Sequence, residues 1–156
     1  MNASSSSEHH LAMRGDGHLA QKKRPLTESV CDSNKLKAYT GKYLPLGGKL
    51  GVVKACLQED EADKATALYR IPRGGAMIEM SNAFLMFVNI PSRMYPNRFA
   101  LYDDGLFRMS WWTSTGQTRS HPVVSRILNR EKSMHLFCRK EKDKYVYFGE
   151  LDIDTE

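Results

Sequence analysis

Nine side chains carry most of the chemistry this 156-residue chain offers: Arg98, Arg108, Trp112, Ser114, Gln117, Arg119, His121, Arg139 and Lys140. The first seven lie between Asn97 and Pro122, where aromatic, cationic and hydroxyl side chains alternate, and no acid occurs from Phe107 to Arg130. Arginine forks grip phosphates or base edges bidentately, and a tryptophan face can stack on a base. Small hydroxyls beside a glycine donate hydrogen bonds at close range. Such a mixture suits a planar or anionic ligand, with DNA or RNA foremost.

Strand alternation sorts this stretch into two faces. Phe107, Met109 and Trp111 share an apolar face that belongs to a core, while Arg108, Ser110 and Trp112 share a polar one. A tryptophan beside an arginine on a polar face makes a stacking platform with cation–π support, or else is covered by the loop that follows. Thr113 to His121 is that loop, with Ser114, Gly116, Gln117, Arg119 and His121 as candidate contacts. Further on, Met134, Leu136 and Cys138 face one way, and His135, Phe137 and Arg139 the other. Tyrosines at 145 and 147 then complete a basic, aromatic-lined surface or fill a second buried face.

Catalytic templates do not fit. Paired carboxylates, H-E-x-x-H, G-x-S-x-G and cysteine–histidine zinc spacings are all missing. His121 and His135 lack the partners of an HNH-like nuclease site, so His121 reads as a structural or phosphate-contact residue. No catalytic residue, cofactor or metal site is expected. Gly47-Gly48-Lys49-Leu50-Gly51 has a superficial likeness to a phosphate loop, but it lacks the G-x-x-x-x-G-K-[ST] spacing and reads as a turn.

The net charge of +5 is a weak pointer to anionic partners; its distribution says more. Between Arg93 and Lys144, eleven Lys and Arg face five Asp and Glu, a net +6 that holds all of the excess. Cys31, Cys56 and Cys138 are dispersed and odd in number, which argues for a reducing compartment. Cys138 sits in an apolar strand pattern, whereas Cys31 falls in a tail as a free thiol. The longest apolar run, Phe84 to Val88, is far shorter than the ~20 residues of a membrane span. An intracellular, cytoplasmic protein is expected, and Lys22-Lys23-Arg24-Pro25 allows a nuclear one or an auxiliary phosphate contact.

The elements that must position these side chains are short. Residues 1–34, rich in serine and scattered charge, read as a disordered tail, and 35–156 as one domain. Val52 to Leu57 reads as a short strand or the start of an element, and Glu59 to Ala67 as a short helix or acidic loop. From Ala67 the turn signals become regular. They mark strands over Leu68–Ile71, Ala76–Met80, Phe84–Ile90, Arg98–Tyr102, Leu106–Thr113, Val123–Leu128, Ser133–Lys140 and Tyr145–Leu151. The last two form a hairpin around Glu141 to Lys144. A mostly β (α+β) domain follows, with a small barrel as the arrangement that removes exposed edges.

Several motifs recur in a familiar order: Phe87-Val88-Asn89-Ile90, Asn97-Arg98-Phe99 with Tyr102-Asp103, and Leu106-Phe107 leading to Trp112-Thr113-Ser114. Leu136-Phe137-Cys138-Arg139-Lys140 and Tyr147-Phe148-Gly149-Glu150 follow. Over roughly Ala83 to Asp152 the chain resembles the domain found C-terminal to the helicase in bacterial helicase–nuclease proteins and beside HNH nucleases. The resemblance implies a small β-barrel akin to readers of modified bases, and DNA recognition in company with a helicase or nuclease. The expectation is therefore a nucleic-acid-binding module that reads a single-stranded, flipped or modified base. The alternative is a protein-interaction adaptor using the same aromatic–arginine face, with a nuclease third.

Overall fold

The computed structural model describes residues 11–13, 19–90, 98–111 and 118–154. Strands β1 (Leu11–Met13) and β2 (Leu19–Gln21) pair antiparallel. The two-residue β3 (Arg24–Pro25) pairs in parallel with β4 (Tyr69–Arg70). Between them come a 3-10 turn at Leu26–Glu28 and four short helices: α1 (Ser33–Lys37), α2 (Gly48–Cys56), α3 (Glu59–Asp63) and α4 (Ala65–Leu68). Asp32 starts α1 by accepting from the Asn34 and Lys35 amides at 3.1 Å each, which satisfies donors the first turn leaves open.

The remaining strands are β5 (Met77–Glu79), β6 (Ala83–Asn89), β7 (Phe99–Leu101), β8 (Phe107–Met109), β9 (Ser133–Arg139) and β10 (Val146–Leu151). Helix α5 (Pro122–Leu128) precedes β9. Four of these strands form one sheet in the order β10-β9-β6-β5, with β6 and β9 parallel and both outer pairs antiparallel. A parallel pair needs a crossover; here it contains the antiparallel β7–β8 hairpin and α5.

Every residue from Ala83 to Val88 is buried because both faces of the sheet are covered. On one face Leu85, Phe87, Phe137, Tyr145 and Tyr147 pack against Leu36, Val52, Val53, Cys56 and Ala65 of the helices. On the other, Phe84, Met86, Val88, Met134, Leu136 and Cys138 pack on Ile127 of α5, with half-buried Phe99, Met109 and Trp111 alongside. Burial pushes the Cys138 thiol up to about 12.

The architecture is α+β, and the expected barrel is corrected: the described strands form no closed barrel. Its physical purpose, hiding edges, is met otherwise. The loop after α1 covers the outer edge of β10. There Gly41 N donates to Tyr147 O (2.8 Å), Leu44 N to Tyr145 O (2.9 Å) and Tyr147 N to Lys42 O (3.3 Å). The opposite edge, β5, is three residues long and carries the charge of Glu79.

Further expectations change. Val52 to Leu57 is not a strand but lies almost wholly in α2. That helix is buried nearly all round, so no helical period shows in its apolar run. Val123 to Leu128 is α5, started by Pro122 at its first turn and capped by His121. The folded chain also begins before Lys35, since Leu26 and Cys31 are in the core at 5% and 3% exposure. Cys31 is therefore a core thiol rather than a tail one. Among the described residues no helix is long and apolar enough to cross a membrane.

Candidate functional site

Two groups of cations stand out in the described chain. Arg108, Arg126, Arg130 and Lys132 are ion-paired. Arg108 reaches Asp104 (3.1 Å) and Asp154 (2.8 Å), and Arg130 reaches Asp152 (2.7 Å). Arg126 and Lys132 share Glu79. By contrast Lys23, Lys49, Arg73 and Arg139 line a single cavity of about 490 Å³, and none of the described residues lining it is an acid. None of these four is ion-paired among the described residues.

The local sequence explains how the cavity is built. Gly47 gives α2 no side-chain cap, and Gly48 takes a left-handed φ of +67°, a conformation that glycine adopts freely. Gly51 lets the helix close on the preceding turn: a Cβ there would stand 1.9 Å from Leu46 O. Lys49, in the first turn, is only 8% exposed. Its ammonium donates to the carbonyls of Gly74 and Gly75 and lies 5.0 Å from the centre of the Phe87 ring. Burial, and then the Arg139 charge, hold this ammonium below the ordinary lysine value.

Arg139 ends β9 on the same face of the sheet as Phe137. Its guanidinium lies 4.6 Å over the Tyr145 ring, and Nε donates to Asn89 Oδ1 at 2.9 Å. Arg73 is exposed on the loop that carries the two carbonyls held by Lys49, and Lys23 is exposed just before β3. The Lys144 Cγ lies 3.9 Å from where a Cβ on Gly47 would be. The result is a concave, positively charged site with a nearly buried lysine in its lining.

The nine sequence-derived residues do not gather at this cavity; only Arg139 lines it. Arg108 belongs to the β7–β8 hairpin, and its guanidinium lies 4.2 Å over the Tyr102 ring while held by its two aspartates. Arg98 and Ser110 tie the hairpin ends together, Arg98 N donating to Ser110 Oγ at 3.0 Å. His121 caps α5, its Nδ1 accepting from Val123 N at 3.3 Å. Arg119 and Lys140 are exposed in turns. Trp112, Ser114 and Gln117 lie outside the described residues.

Lys49 and Arg73 are the cavity residues that sequence reasoning passes over, whereas Lys23 belongs to the basic cluster read as an auxiliary phosphate contact. Gly47-Gly48-Lys49 is a signal for Lys49: although it fails the phosphate-loop spacing, it places a helix start and a lysine at the cavity. The hairpin carries a separate feature. Phe99, Phe107 and Phe148 form a ring cluster with centroids 5.4–6.4 Å apart, and Phe107 and Phe148 remain 52% and 42% exposed. Among the described residues no group of three or more His, Cys, Asp or Glu is placed to hold a metal ion. No protein-family model matches the chain, nor does any of the curated proteins or solved structures compared with it.

Proposed function

We propose that the protein is a nucleic-acid-binding module whose anion site is the cavity of Lys23, Lys49, Arg73 and Arg139. One observation carries the reading: four cations with no ion pair among the described residues converge on one concavity, and none of the described residues lining it is an acid. Unpaired cations in a concave site focus potential and draw in polyanions. Burial of Lys49 and partial burial of Arg139 keep solvent from screening these two fully. A DNA-linked context alongside a helicase or nuclease, which the sequence resemblance implies, belongs to this proposal.

Oligonucleotide binding measured across a salt titration tests it. Affinity should fall linearly on logarithmic axes as salt rises, from counterion release. Arg73→Gln and Arg139→Gln should each flatten the slope by about one unit. Absence of binding to single- and double-stranded oligonucleotides at low salt would end the reading.

The exposed ring cluster favours a second reading, a protein-interaction adaptor. Leu101, Leu106, Phe107 and Phe148 expose apolar surface together on one hairpin and the adjoining strand, and aromatic anchors dominate interface energetics. A partner captured after nuclease treatment by the natural chain, but not by a Phe107→Ser, Phe148→Ser double variant, would support it. Capture that survives the double variant would count against it.

A further inference from the structure

We infer that the cationic cavity takes the phosphate monoester at an end of a nucleic acid, in preference to an internal phosphodiester or a base. The inference rests on the nucleic-acid reading above and narrows it to one chemical group.

The shape of the site argues first. Its cations come from separate parts of the chain: the segment before β3, the start of α2, the loop after β4 and the end of β9. They surround a concavity of about 490 Å³, within the roughly 300–1,000 Å³ usual for small-ligand sites. An internal phosphodiester must leave such a site by two covalent arms, whereas a terminal phosphate leaves by one. A concavity ringed by cations from four segments thus favours an end.

Charge argues next. Lys49 is nearly buried, and its charge acts through a poorly screening surround. A phosphate monoester carries about −1.5 to −2 at neutral pH and offers three acceptor oxygens. A phosphodiester carries a single charge. Four cations without a lining acid therefore reward the monoester more, and arginine forks match its oxygens bidentately.

The aromatic lining excludes a base-stacking site. Tyr69 and Tyr145 are each 2% exposed. Arg139 covers the Tyr145 ring, and Arg24 stands 4.9 Å over that of Tyr69. The Tyr69 hydroxyl is already committed to Glu61 at 2.8 Å. Among the described residues lining the cavity no open ring is left for a base, so the cavity grips phosphate and is indifferent to sequence.

Fluorescence anisotropy with the full chain tests this, using 3′-labelled oligothymidylates ending in a 5′-phosphate or a 5′-hydroxyl. A third probe, a 5′-hydroxyl oligomer two nucleotides longer, matches the phosphorylated one in total charge. The 5′-phosphate should tighten binding about tenfold or more over both hydroxyl probes, the scale of one charge-assisted hydrogen bond. Thymidine 5′-monophosphate should compete, and thymidine should not. Arg73→Gln, on an exposed loop, should erase most of the preference without unfolding the chain, as checked by circular dichroism. Equal affinity for all three probes would overturn the inference while leaving nucleic-acid binding intact. Failure of every probe to bind at low salt would overturn both.

Discussion

Arg108 and Arg139 belong to opposite sides of the central sheet. Arg139 ends β9 over the Tyr145 ring, on the face that carries Phe137 and the helices. Arg108 belongs to the hairpin whose Phe99 and Met109 pack beneath the other face, and two aspartates neutralise it. They cannot serve one groove as equal partners. Arg139→Ala should weaken oligonucleotide binding by about tenfold, the scale of one lost charge-assisted contact. Arg108→Ala should change it less than about twofold, since surface ion pairs contribute little. Anisotropy titrations of both variants decide between the faces; a larger loss from Arg108→Ala would move the site to the hairpin.

Glu79 ties α5 and the segment before β9 to the edge strand β5. It accepts from Arg126 and from Lys132 Nζ (2.7 Å), and Lys132 also reaches Met80 O (2.8 Å). The bond from Arg126 is the main cause that holds this carboxyl below its ordinary 4.5, with Lys132 adding to it. A depressed carboxyl contributes stability above its unfolded pKa and loses it as pH falls through the lower folded value. Glu79→Gln should therefore cost about 1–3 kcal/mol at neutral pH. The gap should narrow below the ordinary value of 4.5, seen as converging urea midpoints. A gap that is constant with pH would reject the linkage.

His135 gives a second acid-sensitive group at higher pH. It is 1% exposed, with Nδ1 2.7 Å from the Tyr147 hydroxyl and Nε2 beside Ser133 Oγ (3.3 Å) and Ser33 Oγ (3.4 Å). Burial first, and the Lys37 charge after it, hold the imidazole below its ordinary 6.5, with Glu150 opposing. The unfolded chain thus binds a proton near 6.5 that the folded chain refuses. Stability is fully present above that value and is lost as pH falls through the folded one, by up to about 1.4 kcal/mol per pH unit. In His135→Gln the dependence over this window should flatten. Identical urea-midpoint profiles for the variant and the natural chain would remove His135 from the account.

Much of the sheet was legible in the sequence, because turn residues punctuate it. Strands expected at Ala76–Met80, Phe84–Ile90 and Ser133–Lys140 appear at Met77–Glu79, Ala83–Asn89 and Ser133–Arg139. Glu59 to Ala67, read as a short helix or an acidic loop, holds α3 and most of α4, but α2 was not legible, for a physical reason. Val52, Val53, Ala55 and Cys56 are all buried, so α2 shows no polar face and no 3.6-residue period. The cavity was harder still. Arg139 could be assigned to a face by alternation, but Lys23, Lys49 and Arg73 join it only through tertiary packing. Local composition instead pointed to Arg108, because ion pairing with Asp154, 46 residues away, leaves no mark in its neighbourhood.

Gly51 offers a test of how α2 frames the cavity. In an open helix, replacing glycine by alanine stabilises by roughly 1 kcal/mol. Here the added Cβ would stand 1.9 Å from Leu46 O and 2.5 Å from Leu46 C, both backbone atoms that cannot swing aside. The sign should reverse: Gly51→Ala should destabilise by about 1–3 kcal/mol through overpacking. It should also weaken oligonucleotide binding, because displacing the turn at Leu46 displaces Gly47 and Lys49 at the cavity. Gly74→Ala is the control: a Cβ there meets nothing within 4 Å, although the Gly74 carbonyl holds Lys49. Its stability should stay within about 0.5 kcal/mol of the natural chain, as expected away from packed sites. If Gly51→Ala were as stable as Gly74→Ala, the close approach of α2 to Leu46 would not be the constraint that shapes this end of the site.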